Sequence, residues 1–227
     1  MCGRYSFTLS PKKIKEKLDN IQVPDQLEMN YNVAPTQTGY VITNKHPDVL
    51  EPMRWGLIPF WAKPGQRLPT LINARSESVT EKASFRQPVQ QRRCLVLADS
   101  FYEWKREGKS KQPYRILPAD GDYMVMAGIY ETWTKGEDGT VRSYTILTTT
   151  PNAEMEPIHD RMPVLLSSLE ARELWLADGP AEDRLDLLRP AADGSLIMYP
   201  VSTQLGNVRN NGPHLHEPLG KQGELFE

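Results

Sequence analysis

Cys2 directly follows Met1, and once Met1 is removed this one residue offers two nucleophiles, a free α-amine and a thiol. Their ordinary pKa values are about 7.7–8.0 and about 8.5, so about a tenth or more of the amine is neutral near pH 7, far more than for an unperturbed lysine. Such a pair suits two chemistries. The amine can act as base while the thiol attacks an acyl group, or it can condense with an aldehyde to a Schiff base that the thiol closes into a five-membered thiazolidine. Taken alone, Cys2 also reads as a cysteine at a frayed terminus. Cys94, inside the apolar run Cys94-Leu95-Val96-Leu97-Ala98, reads as a buried small hydrophobe.

His159, in Ile158-His159-Asp160-Arg161-Met162-Pro163, has the ordinary pKa near 6.5 of a general acid and base. A hydrogen-bonded structural histidine is the alternative. Glu103 lies between Tyr102 and Trp104, where partial desolvation would raise its pKa and make it a proton carrier, although alternation alone also allows it to face solvent. Asn73 and Arg75 share one face of a strand-like segment, setting an amide for a substrate oxygen beside a guanidinium for a phosphate. Basic residues also recur next to aromatic ones, as in Arg4 with Tyr5, Arg54 with Trp55 and Trp61 with Lys63. A single-strand groove uses such pairs, and so does an ordinary solvated surface.

The frame for these residues is a chain of 227, with 39% hydrophobic and 25% charged residues, the usage of one globular domain or at most two small ones. Lys and Arg total 27 against 29 Asp and Glu, so polyanion binding requires a local patch. Two cysteines exclude a disulfide scaffold and a four-cysteine zinc site, and His46, His159, His214 and His216 form no metal-binding helical pair. No metal or cofactor is expected. No apolar run approaches the roughly 20 residues of a membrane span, and no signal-peptide order opens the chain, so the expected location is cytosolic or nuclear.

Nineteen prolines cut the chain into short pieces. Alternation predicts strands at Arg4–Leu9, Tyr40–Thr43, Met53–Leu57, Leu71–Arg75, Cys94–Ala98, Phe101–Lys105, Tyr114–Leu117, Tyr123–Trp133, Val141–Thr149 and Ile197–Val201. Turns such as Glu107-Gly108 and Glu137-Asp138-Gly139 predict antiparallel hairpins. Ser10-Pro11 opens a short helix with Ile14, Leu18 and Ile21 on one face; Ser167 with Glu170 caps another, with Leu169, Leu174 and Trp175 inward. A further helix is predicted at Ala181–Leu188. The expected fold is a single α+β domain of mainly antiparallel curved sheets with short peripheral helices, and a chain loosely held from Gly212 onward.

Together these residues resemble the SOS response-associated peptidase (SRAP) family, or abasic site processing proteins. The matching words are Met1-Cys2-Gly3-Arg4, Tyr31-Asn32-Val33-Ala34-Pro35, Arg54-Trp55-Gly56-Leu57, Ile72-Asn73-Ala74-Arg75-Ser76-Glu77, Phe101-Tyr102-Glu103-Trp104-Lys105, His159-Asp160-Arg161-Met162-Pro163, and Val201-Ser202 with Asn207-Val208. They run in the family's order from Cys2 to about Pro213, implying an SRAP-like domain over 1–213 and a tail over 214–227. The resemblance implies a barrel-like body with a basic cleft for single-stranded DNA and junctions, working as a monomer in the cytoplasm, or at the nucleoid in a bacterium. It implies that Cys2, exposed by self-removal of Met1, forms a thiazolidine with the ring-opened aldehyde of an abasic site, with Asn73, Glu103 and His159 as the catalytic surround. Arg4, Arg75 and Arg161 are then phosphate contacts, Arg54 joins the DNA-binding set, the Asn32–Pro35 loop lines the site, and Trp61 wedges against DNA. Here Phe60-Trp61 stands where some relatives carry two tryptophans. The rival readings are a cysteine peptidase acting on other proteins, with Cys2 and His159 as nucleophile and base, and a noncatalytic reader of modified bases.

Overall fold

The computed structural model describes residues 2–220, apart from Asp19, Arg67, Leu68, Lys109, Glu137 and Asp138. The proline-punctuated apolar runs become strands β1 (Arg4–Phe7), β2 (Asn30–Val33), β3 (Thr38–Thr43), β4 (His46–Trp55), β5 (Asn73–Arg75), β6 (Arg93–Ala98), β7 (Ser100–Glu107), β8 (Ser110–Pro118), β9 (Met124–Gly136), β10 (Gly139–Thr149), β11 (Met162–Pro163) and β12 (Leu196–Pro200). The α-helices are α1 (Pro11–Lys17), α2 (Arg86–Gln91) and α3 (Leu169–Leu176).

β4, β3, β6, β9 and β10 hydrogen-bond in a closed circuit, because β10 pairs with β4 on one side and β9 on the other. Closure leaves this barrel without a free edge. β5 and β11 attach to β10, and the second sheet runs β12-β8-β7-β1-β2, antiparallel throughout. β10 departs from the expected pattern by pairing in parallel with both β4 and β5. The two sheets meet over a shared core in which the Tyr5 and Tyr144 hydroxyls lie 2.5 Å apart and Tyr5 packs edge-on to Trp55. Position 39 must be glycine for this contact, since a β-carbon there would overlap both hydroxyls.

Local rules explain the helices. Ser10 Oγ accepts the Lys13 N–H at 3.2 Å, Pro11 opens α1 and Ile14 is buried. α3 is capped by Ser168 rather than Ser167, and its eight residues bury Trp175 while Leu169 and Leu174 remain exposed, 60% and 42%. The indole N–H explains the choice, because it reaches the Cys94 carbonyl at 3.1 Å. Ala181–Leu187 is a 3-10 rather than an α-helix, drawn tight by the buried Arg184 guanidinium on the carbonyls of Ala177, Asp178, Gly179 and Pro180.

Beyond Gly212 the chain is tied down rather than loose. Pro213–His216 form a 3-10 turn that buries Leu215, the His216 ring meets Tyr31 at 4.7 Å, and the Leu219 N–H bonds the Pro200 carbonyl at 2.8 Å. His216 also lies 3.8 Å from Asp99. The Glu137-Asp138 turn residues, Met1 and residues 221–227 lie outside the described residues.

Candidate active site

The junction of the two sheets brings together residues that lie far apart in sequence. The β1–β7 register sets Arg4 opposite Tyr102, which carries Cys2-Gly3 alongside Glu103-Trp104. β5 pairs with β10 through Asn73 and Ile146, and Asn73 Nδ2 donates to the Cys2 carbonyl at 2.8 Å. Asn73 therefore pins the peptide on the C-terminal side of Cys2. Its Oδ1 is buried without a hydrogen-bond partner among the described residues. His159 arrives on the segment between β10 and β11, with Nε2 3.8 Å from Glu103 Oε2.

Burial sets the protonation states. Cys2 is fully buried, and desolvation, helped by the negative charge of Glu103, pushes its thiol well above the usual range. The Sγ makes a long contact, 3.8 Å, with the Arg4 carbonyl. Glu103 is 3% exposed, and desolvation raises its carboxyl to about 7. His159 is pushed below its ordinary value chiefly by burial, with Asp160 opposing. Its Nδ1 accepts the Arg161 backbone N–H at 3.0 Å and lies 2.9 Å from Asp160 Oδ1.

Gly3, Arg4, Pro35, Glu103, Trp104, Arg106, Lys111, His159 and Gly206 line a cleft of about 540 Å³. Pro35 is brought there by a turn in which Thr36 takes φ 75°, an uncommon left-handed conformation for a β-branched residue. Arg4 and Asn32 are engaged internally: Arg4 donates to Asn32 Oδ1 at 2.8 Å and to the Leu205 carbonyl at 2.9 Å. The buried Asn32 amide donates to the carbonyls of Leu205, Asn207 and Asn210 at 3.0–3.2 Å. These bonds fix the chain after β12 as one wall of the cleft. Arg161 holds Glu77 at 2.5 and 2.9 Å and the Thr148 carbonyl at 2.6 Å, and is itself buried.

Arg75 is exposed one strand position beyond Ala74, on the Asn73 side of β5. Arg54 and Lys63 line a separate cavity of about 220 Å³ with Trp133, and Trp61 beside it is 38% exposed. Arg106 and Lys111 in the main cleft escaped the sequence reading; their signal is a register, Arg106 opposite Lys111, that only strand pairing reveals. Among the described residues no cluster of His, Cys, Asp and Glu could hold a metal, and no helix is long and apolar enough to cross a membrane.

Comparison with known proteins identifies the family. The family model "SOS response associated peptidase (SRAP)" matches residues 1–208. The chain is 40% identical over 222 residues to abasic site processing protein YoqW of Bacillus subtilis (strain 168), covering 96% of this chain and 99% of the relative. It is 35% identical over 259 residues to abasic site processing protein HMCES of Xenopus tropicalis, covering 94% and 77%. A crystal structure of a protein from Bacteroides thetaiotaomicron superposes with a TM-score of 0.83 at 27% identity, covering 96% of this chain and 99% of that one. The chain belongs to the SOS response associated peptidase (SRAP) family.

Proposed function

We propose that this protein processes abasic sites in single-stranded DNA by closing the amine and thiol of Cys2 on the ring-opened sugar. The observation that carries the reading is that Asn73 bonds the Cys2 carbonyl while Glu103 and His159, 3.8 Å apart, line a cleft with Gly3, the residue that follows Cys2. The similarity to proteins named for abasic site processing supports it.

While Met1 is attached, the Cys2 nitrogen is an amide and cannot attack a carbonyl. Hydrolysis of the Met1–Cys2 bond, carried out by the protein itself, releases the amine, and a carboxyl that titrates about 7 is suited to move the protons. The abasic sugar is mostly a closed hemiacetal, so His159 first donates a proton to the ring oxygen. The amine then adds to the aldehyde, water leaves, and the Cys2 sulfur attacks the imine carbon as its proton passes to nitrogen. A buried, protonated thiol suits this order, since the amine acts first. Asn73 holds the Cys2 carbonyl still throughout.

The protein is proposed to act as a monomer where DNA is held, in the cytoplasm or at a bacterial nucleoid. Cys2→Ala should retain single-strand binding and lose the adduct that survives denaturation. An adduct that persists in this variant without reductant would overturn the proposal.

A further inference from the structure

We propose that the β7–β8 hairpin is a phosphate clamp, in which Arg106 and Lys111 hold the backbone of the strand entering the cleft. The assignment rests on the single-strand reading above and names the groups that would deliver it. Arg106 and Lys111 are directly opposed across the hairpin, so their side chains leave the same face of the sheet. Both are exposed, and both line the cleft that holds Glu103 and His159. Among the described residues no ion pair includes either one.

Like charges directly opposed repel, so strand pairing alone favours a different partner at this position. A phosphate oxygen between the two cations removes the repulsion. The planar guanidinium takes two oxygens of one phosphate while the ammonium serves as a point charge beside it. The acidic groups Glu103 and Asp160 sit with His159.

The test compares wild type, the Arg106→Gln/Lys111→Gln double variant and a Lys45→Gln control, Lys45 being exposed outside the cleft. Fluorescence anisotropy with an undamaged single-stranded oligothymidylate is followed across a range of KCl concentrations. Each phosphate neutralised on a single strand contributes about 0.7 to the slope of log K against log salt, so the double variant, which gives up one phosphate, should lose about 0.7 and the control nothing. Affinity at low salt should fall about tenfold or more. A double variant that keeps the wild-type slope would overturn the clamp while leaving the single-strand reading intact. Wild type showing no salt-dependent binding would overturn both.

Discussion

His159 Nε2 stands 3.8 Å from Glu103 Oε2, and the opposite ring nitrogen is occupied by the Arg161 backbone N–H. Burial acts in opposite directions on the two groups, raising the carboxyl to about 7 and lowering the imidazole from its usual value. Their proton affinities are thereby brought together, so a proton moves between them, or through a substrate oxygen, at little cost. Adduct formation should show a limb near pH 7 that disappears in Glu103→Gln, with a rate loss of about 10²- to 10⁴-fold. A Glu103→Gln profile that retains this limb would exclude the carboxyl as its source.

The same carboxyl makes a prediction about stability. Its folded-state pKa lies above its ordinary value of 4.5, so the folded protein binds this proton more tightly than the unfolded chain. The resulting stabilisation is complete below about pH 4.5 and is lost as pH rises through about 7. Glu103→Gln should therefore gain on the order of 1–3 kcal/mol relative to wild type at pH 8, and much less at pH 5. Urea unfolding at the two pH values checks this; an equal difference at both would contradict it.

Arg161 gives a different kind of test. Its bonds to Glu77 and to the Thr148 carbonyl tie the segment carrying His159 to the 3-10 turn after β5 and to β10. Arg161→Ala should lower stability by about 1–3 kcal/mol, because the variant leaves hydrogen-bonded groups unpaired in a site that is only partly open to water. The salt slope of single-strand binding should stay unchanged. Unaltered urea unfolding combined with a reduced slope would instead make Arg161 a phosphate contact.

How much of this was legible in the sequence depended on how local the cause was. The Ser10-Pro11 start of α1 and the apolar run at Cys94–Ala98 follow from neighbouring residues, and both appear in the structure. Asn73, Glu103 and His159 could be singled out by residue type, but their convergence on Cys2 comes from strand register and the connection between sheets. Alternation could not decide the face of Glu103, because Tyr102 and Glu103 are both buried: the chain after β12 covers one side and the cleft floor encloses the other. Strand β2 was missed because Asn30 and Asn32 look like turn residues, yet Asn32 spends its amide on distant carbonyls. The expectation of a loosely held chain from Gly212 onward fails for the same reason, since the partners of His216, Tyr31 and Asp99, are remote in sequence. The parallel pairing of β10 with β4 and β5 likewise leaves no local pattern.

The most direct measurement is the intact mass of the purified protein before and after mixing with a single-stranded oligonucleotide carrying one abasic site. The account predicts a protein lacking Met1 and then a species equal to protein plus oligonucleotide less one water, absent in Cys2→Ala. A protein whose Met1 is retained yet which forms the same adduct, or an adduct that maps to any residue other than Cys2, would contradict it.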